Sequence, residues 1–265
     1  MKNKLFTVVA IIIATVMVLG VFAACSKEDN TNTGTSKLEL IKPGVLTVGS
    51  DTTWPPMEYT EGDKIVGFDV DLAQAIADKL GLKLDFQSTA WDGIVSALAT
   101  HKFDTVISSM TITEEKKKEV NFSDPYFNTD QAAVTKEGSG IDTVEKMVGK
   151  TIGVQIATTG EIEAKKIKDC KAKSYDDILM AFEDLKAGRI DAVMADSYLS
   201  YSYAAENEGY EVGFVVNTGE KLGIAFAKES PNLLAAVNGA LKTLMDDGTY
   251  DSIYEKWFGT KPPEI

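Results

Sequence analysis

The chain has 265 residues, room for one large or two medium domains, and its 44% hydrophobic content is ordinary for a globular protein. Acidic residues outnumber basic ones 40 to 27, a formal charge of −13 that disfavours nucleic acid as a partner. Two cysteines and one histidine spell no metal cluster, and no cofactor motif appears.

The first element is a leader. Residues 5–24 are free of charge and follow Lys2 and Lys4, the n-region and h-region of a secretory signal. Phe22-Ala-Ala-Cys25 then resembles a lipobox, with phenylalanine where leucine is commoner, so Cys25 is the expected lipidated N-terminus. Loss of residues 1–24 removes two lysines and takes the charge to −15. Residues 25–37 are polar and read as a flexible tether with a reach of about 20 Å. The expected location is the extracytoplasmic face of the cell membrane, held by lipid. An uncleaved anchor is the alternative, and it leaves the globular part on the same side. With Cys25 lipidated, Cys170 has no disulfide partner.

Strand and helix signals then alternate, which predicts an α/β protein with mostly parallel sheets. Strands are expected at 45–49, 83–86 and 104–107, with helices at 69–80 and 91–99. The helix at 69–80 places Val70, Ala73, Ile76, Ala77 and Leu80 on one face, and Gly81 ends it. A second unit has strands at 131–134, 151–154 and 192–195 and helices at 160–168, 176–187 and 197–206. A strand at 224–227 and helices at 231–245 and 249–257 close the chain.

Residues 108–126, Ser-Ser-Met-Thr-Ile-Thr-Glu-Glu-Lys-Lys-Lys-Glu-Val-Asn-Phe-Ser-Asp-Pro-Tyr, are the most informative stretch. A strand runs into hydroxyl and backbone donors, the kind of carboxyl-end site that holds a small polar ligand. Lys116, Lys117 and Lys118 fall in the first turn of a short helix, the wrong end for cations. A bound carboxylate would compensate. A helix capped by Thr113, with Glu114 and Glu115 behind it, needs no ligand, and physics alone leaves the two readings even.

Ser109-Met-Thr-Ile-Thr and Asn121-Phe-Ser-Asp-Pro-Tyr resemble the amino-acid-binding solute receptors of ABC importers. So do Gly67-Phe-Asp-Val-Asp-Leu-Ala, Ala90-Trp-Asp-Gly, Thr158-Thr-Gly-Glu and Gly248-Thr-Tyr-Asp-Ser-Ile-Tyr-Glu-Lys-Trp-Phe-Gly. The resemblance spans residues 45–259, and the motifs in this order are specific together. It implies a two-lobed periplasmic-binding-protein fold of type II, with two sheets joined by a two-segment hinge. Lobe one would comprise 38–128 plus 223–259, and lobe two 133–218. The crossings 129–132 and 219–222 would form the hinge. The implied partners are an amino acid, ABC permease subunits and the membrane, and the chain is expected to be a monomer.

The resemblance also assigns roles in the cleft. Asp51 would meet the ligand's side chain, with Trp54 and Trp91 as aromatic walls. Ser108, Ser109 and Thr111 would form the floor. Thr158 and Thr159, with Gln155 beside them, would grip the α-carboxylate from lobe two, and Asp196 would accept from the α-ammonium. Each has a plainer reading: turn, core aromatic, strand end, capping box or N-cap. Two departures stand out. Ala157 replaces a frequent glycine, and Lys116 occupies the place of the arginine that clamps the carboxylate. Lysine offers a point charge where arginine offers a planar fork.

A tryptophan pair with an aspartate suits a ligand with an apolar stem and a cationic or polar tip. The expected function is a lipoprotein receptor that closes on a polar, or basic, amino acid and presents it to a permease. One rival is a secreted dehydratase on the same fold, with Asp51, Glu58 or Glu161 as general acid. The others are a receptor for a non-standard amino-acid-like ligand, and a sensor.

Overall fold

The computed structural model describes residues 37–265. The leader, Cys25 and nearly all of the tether lie outside the described residues.

Two five-stranded sheets organise the chain, with a small three-stranded sheet beside the first. The first sheet begins with β1 (Val45–Ser50), which is apolar and almost wholly buried, as a strand covered on both faces must be. β1 is followed by the meander β2 (Thr53–Trp54), β3 (Glu58–Glu61) and β4 (Lys64–Val66), which sequence patterning did not predict. Helix α1 (Phe68–Lys79) starts at Gly67, whose φ of 140° and contact with the Met57 backbone exclude a side chain. Leu72, Ala73, Ile76 and Ala77 form its buried stripe. Then come β5 (Lys83–Ser88), α2 (Ile94–Ala99), β6 (Thr105–Val106), the single turn α3 (Lys116–Glu119) and β7 (Asn121–Phe122).

Strand β8 (Phe127–Lys136) runs out of this region into the second sheet. There it meets β9 (Thr151–Gln155), α4 (Thr159–Lys166), β10 (Lys171–Tyr175), α5 (Ile178–Lys186), β11 (Ala192–Asp196) and α6 (Ser197–Glu206). The long β12 (Tyr210–Leu222) returns, followed by β13 (Ala225–Phe226), α7 (Pro231–Asp246) and α8 (Thr249–Phe258).

The strand orders are β5-β1-β6-β13-β7 and β10-β9-β11-β8-β12. In each sheet the three strands linked through helices are parallel, as expected, but the remaining two add antiparallel. The sheets are therefore mixed rather than mostly parallel. The physical reason is that β8, β12 and β13 travel between the sheets without a crossover helix, and only such a helix enforces parallel pairing.

The expected crossings at 129–132 and 219–222 are not loops. They lie in β8 and β12, which pair antiparallel from Phe127↔Leu222 to Thr129↔Glu220, with a register break between Val216 and Glu220. The fully buried Phe68 ring is a hub for Tyr126, Phe127, Tyr250, Tyr254 and Phe258, binding the returning helices to α1. Hydrogen bonds between Gln155, at the end of β9, and Asp51 and Trp54, just past β1, put the carboxyl ends of these two strands opposite each other.

Candidate ligand-binding cleft

Where the two sheets face each other, Trp54, Trp91, Ser108, Ser109, Thr111, Lys116, Thr158, Thr159 and Asp196 line one small cavity of about 20 Å³. Every one of these was expected in the site. Asp51 and Gln155 are not among the lining residues. They sit just behind, where Gln155 Nε2 donates to Asp51 Oδ2 at 2.7 Å and Trp54 Nε1 donates to Gln155 Oε1 at 2.7 Å. Gln155 is fixed in turn by the Asp176 carbonyl at 2.8 Å. Trp91 Nε1 reaches the Ala157 carbonyl at 3.3 Å, and the Thr111 and Thr159 hydroxyls approach to 3.4 Å. Side chains from the two sheets thus meet directly across the cleft.

The three lysines of α3 separate. Lys117 and Lys118 are exposed and pair with Glu114 and Glu115. Lys116 turns inward and is half-buried, with Nζ 3.4 Å from the Thr111 carbonyl and 5.5 Å from the Trp91 ring. A four-residue helix has almost no macrodipole, so the argument from an unfavourable helix end fails. What singles out Lys116 is burial. Desolvation depresses its basicity, against the pull of Asp196 and Glu220. Thr113 does cap the turn, accepting from the Lys116 N–H at 3.2 Å.

Ser108 and Ser109 stand on carboxylates. Ser108 Oγ accepts from the Asp51 N–H at 2.9 Å. Ser109 has φ of 46°, in the left-handed region. Its N–H donates to Asp69 Oδ2 at 2.9 Å and its hydroxyl to Glu58 Oε2 at 3.1 Å. Burial raises Asp51 above the usual carboxylate range, with the Gln155 hydrogen bond opposing it.

On the other wall, Thr158 caps α4. Its Oγ accepts from the Glu161 N–H at 3.2 Å, and Glu161 Oε2 accepts from the Ala157 N–H at 2.9 Å. Ala157 has φ of 59°, where the family's frequent glycine sits without strain. Asp196 occupies the N-cap position of α6, but its carboxylate makes no capping bond. The expected capping role is absent. Instead the side chain accepts from Gln131 Nε2 at 2.7 Å and points toward the cavity. Burial and the nearby Glu220 push Asp196 up to about 8, with Gln131 and Lys116 opposing.

Two residues here escaped sequence reasoning. Glu220, on β12, accepts from Thr111 at 2.8 Å and from Thr159 at 2.7 Å, one hydroxyl from each wall. Gln131, on β8, bridges Asp196, Thr159 and Glu220. Both fall in the expected crossings, where only a change of direction was legible.

The model of the bacterial extracellular solute-binding proteins, family 3, matches residues 46–260. This chain belongs to that family. Among its relatives, the arginine-binding extracellular protein ArtP of Bacillus subtilis is 36% identical over 80% of this chain and 86% of its own length. The glutamine-binding protein GlnH of the same organism is 32% identical over 99% of this chain and 100% of its own. An ancestral arginine-binding protein, solved with arginine, shares 46% identity with a TM-score of 0.79, covering 82% of this chain and 99% of that one. The cleft of this family 3 protein joins a small cavity, a half-buried cation and a buried carboxylate.

Proposed function

We propose that this chain is the amino-acid receptor of an ABC import system and that its ligand is a polar amino acid with a cationic side chain. The observation that carries this reading is one half-buried ammonium, Lys116, and one buried carboxylate, Asp196, lining a single cavity. An α-amino acid presents the complementary pair of charges. Lys116 would hold the α-carboxylate, together with the free N–H groups at the start of α4. Asp196 would take the α-ammonium.

The surplus of negative charge supports a cationic tip. Asp51, Asp196 and Glu220 face one lysine in and around the cleft. Two tryptophan faces suit a guanidinium or ammonium on an apolar stem. The arginine-binding relatives agree with this choice. The dehydratase alternative finds little support: the curated relatives are named for binding, and the solved precursor of a cyclohexadienyl dehydratase is itself named an amino acid-binding protein. Closure would turn about the crossings 129–132 and 219–222, with 38–128 plus 223–259 as one lobe and 133–218 as the other. Cys25 would carry the lipid, and Cys25→Ala would release or leave unprocessed the membrane-bound protein.

Calorimetric titration with arginine, lysine, glutamine, cystine and glycine betaine tests the ligand class. Arginine or lysine should bind at least tenfold more tightly than glutamine. A protein that prefers glutamine or cystine would refute the cationic side chain. One that binds only betaine would refute the α-amino-acid head.

A further inference from the structure

Glu58 and Asp69 lie beneath the cleft floor, both fully buried. The first is on β3 and the second in the first turn of α1. All their hydrogen-bonding partners are neutral. Asp69 Oδ2 accepts from the Ser109 N–H and the Tyr126 hydroxyl, each at 2.9 Å. Glu58 accepts from the Ser109 hydroxyl at 3.1 Å and from the Ser108 hydroxyl at 3.4 Å. Asp69 Oδ1 is buried with no donor from any neighbouring group. An orphaned buried carboxylate oxygen is costly, and two adjacent buried carboxylates cannot both be ionised without a cation.

We propose that Glu58 is protonated at neutral pH and donates to Asp69 Oδ1, so that the two carboxyls share one proton and act as a positioning pair for the cleft floor. The shared proton satisfies the orphaned oxygen and leaves one negative charge for two carboxyls. That charge takes the Ser109 N–H, which holds Ser109 in its left-handed conformation, a strained state for a residue with a side chain. Ser109 is thereby held against the cavity. Asp51, Tyr126 and Tyr198 also face the pair, and none supplies a positive charge. Burial and repulsion from Asp69 raise Glu58 well above the usual carboxylate range, while burial brings Asp69 to about 6 against the hydrogen bonds from Ser109, Glu58 and Tyr126.

The effect on stability has a definite sign. A carboxyl that keeps its proton when folded binds more protons than it does unfolded. Stability then falls as pH rises from about 4.5 through the folded value. Glu58→Gln removes that loss, and its amide supplies the same donor to Asp69 Oδ1. The part of the proposal that concerns the ligand rests on the reading above, in which Ser109 meets an amino acid. The shared proton does not.

The test is infrared spectroscopy and thermal unfolding between pH 5.5 and 9, with L-arginine titrations over the same range. The wild type should show a protonated-carboxyl band at pH 7, over and above that of Asp196, that Glu58→Gln lacks. The variant should unfold at an equal or higher temperature, with a margin that grows with pH. It should bind arginine within about threefold of the wild type at pH 7 and more tightly at pH 9. Absence of the band, or a lower unfolding temperature in the variant, would overturn the shared proton. If both hold and arginine affinity follows the same pH profile in both proteins, the positioning role is overturned. If neither protein binds arginine, the cationic-ligand reading fails while the band and the unfolding margin still decide the proton.

Discussion

Two strand-to-helix junctions of the second sheet each place a side chain able to cap at the N-cap position, and they use it differently. At the end of β9, Thr158 turns back on its own helix, and both its donor and its acceptor are engaged within the turn. At the end of β11, Asp196 holds the equivalent position and leaves its helix uncapped. The first junction is locally satisfied. The second is held in a state that is costly without a cation, since burial and Glu220 both oppose its ionisation. A side chain kept away from its obvious local partner in a closed cavity is a mark of a binding group. A satisfied cap is not.

The contrast breaks most severely at Lys116, the half-buried cation that favours the ionised form of Asp196. Lys116→Ala should weaken amino-acid binding by at least a hundredfold, because removing one partner of a buried charge pair costs about 3–5 kcal/mol. Lys117→Ala, at an exposed pair, should change affinity by less than about twofold. Lys116→Arg sharpens the point. With an ordinary α-carboxylate to grip, the guanidinium fork should retain binding or tighten it. Calorimetry on the three variants decides the matter, and an unaffected Lys116→Ala would move the anion to the start of α4.

Asp196→Asn should have the next largest effect, and in two directions. Charge-assisted hydrogen bonds contribute about 1.5–3 kcal/mol, so affinity should fall roughly ten- to hundredfold. The ligand-free protein should nevertheless become more stable. A carboxyl raised from 3.8 to about 8 binds more protons folded than unfolded, so its contribution falls as pH rises between those values. Asparagine removes that slope. At pH 8 the gain should be roughly 1–2 kcal/mol, or about 2–8 °C in Tm, since water entering an opening cleft relieves part of the strain. Differential scanning calorimetry at pH 5 and pH 8 checks it. A variant destabilised at both pH values would mean that Asp196 is structural after all.

How much of this was legible depends on range. The helix at α1 was visible because its stripe repeats within one segment, and Gly81 marks its end. The cleft residues Trp54, Trp91, Ser109, Thr159 and Asp196 were visible because each follows a strand within a recognisable short motif. Glu220 and Gln131 were not, because their roles exist only where β8 and β12 pair, 89 residues apart in the chain. The β2-β3-β4 meander was missed because Pro55 and Pro56 interrupt a pattern too short to alternate. Lys116 stood out both by its place in the motif and by its helix end, and only the second argument fails. Its helix is one turn long, and only the fold reveals that it is half-buried while Lys117 and Lys118 are exposed.

Gln155→Ala comes next. It removes the bridge between Asp51 and Trp54, two neutral-donor bonds across the cleft that contribute about 1 kcal/mol each. Affinity should fall by roughly five- to thirtyfold, with little change in the Tm of the ligand-free protein, whose sheets are individually intact. Small-angle scattering should show a larger radius of gyration for the ligand-free variant than for the wild type. An unchanged radius and affinity would mean that closure does not depend on this bridge.

The smallest effect on binding is expected at the other junction. Thr158→Ala deletes a cap worth about 1 kcal/mol, which for a protein of this size lowers Tm by roughly 2–4 °C. Affinity should move by less than about threefold. The hydroxyl is already committed to Gln155 and Glu161, and the N–H groups that would meet a carboxylate belong to the backbone. Thr158→Ser keeps the oxygen and should recover the lost stability. The two junctions then give opposite signatures: a lower Tm with little change in affinity at Thr158, and a higher Tm with lost affinity at Asp196. If Thr158→Ala instead weakens binding as much as Asp196→Asn while Tm stays constant, the hydroxyl must leave its cap for the ligand, and the distinction between a satisfied and a reserved junction does not hold.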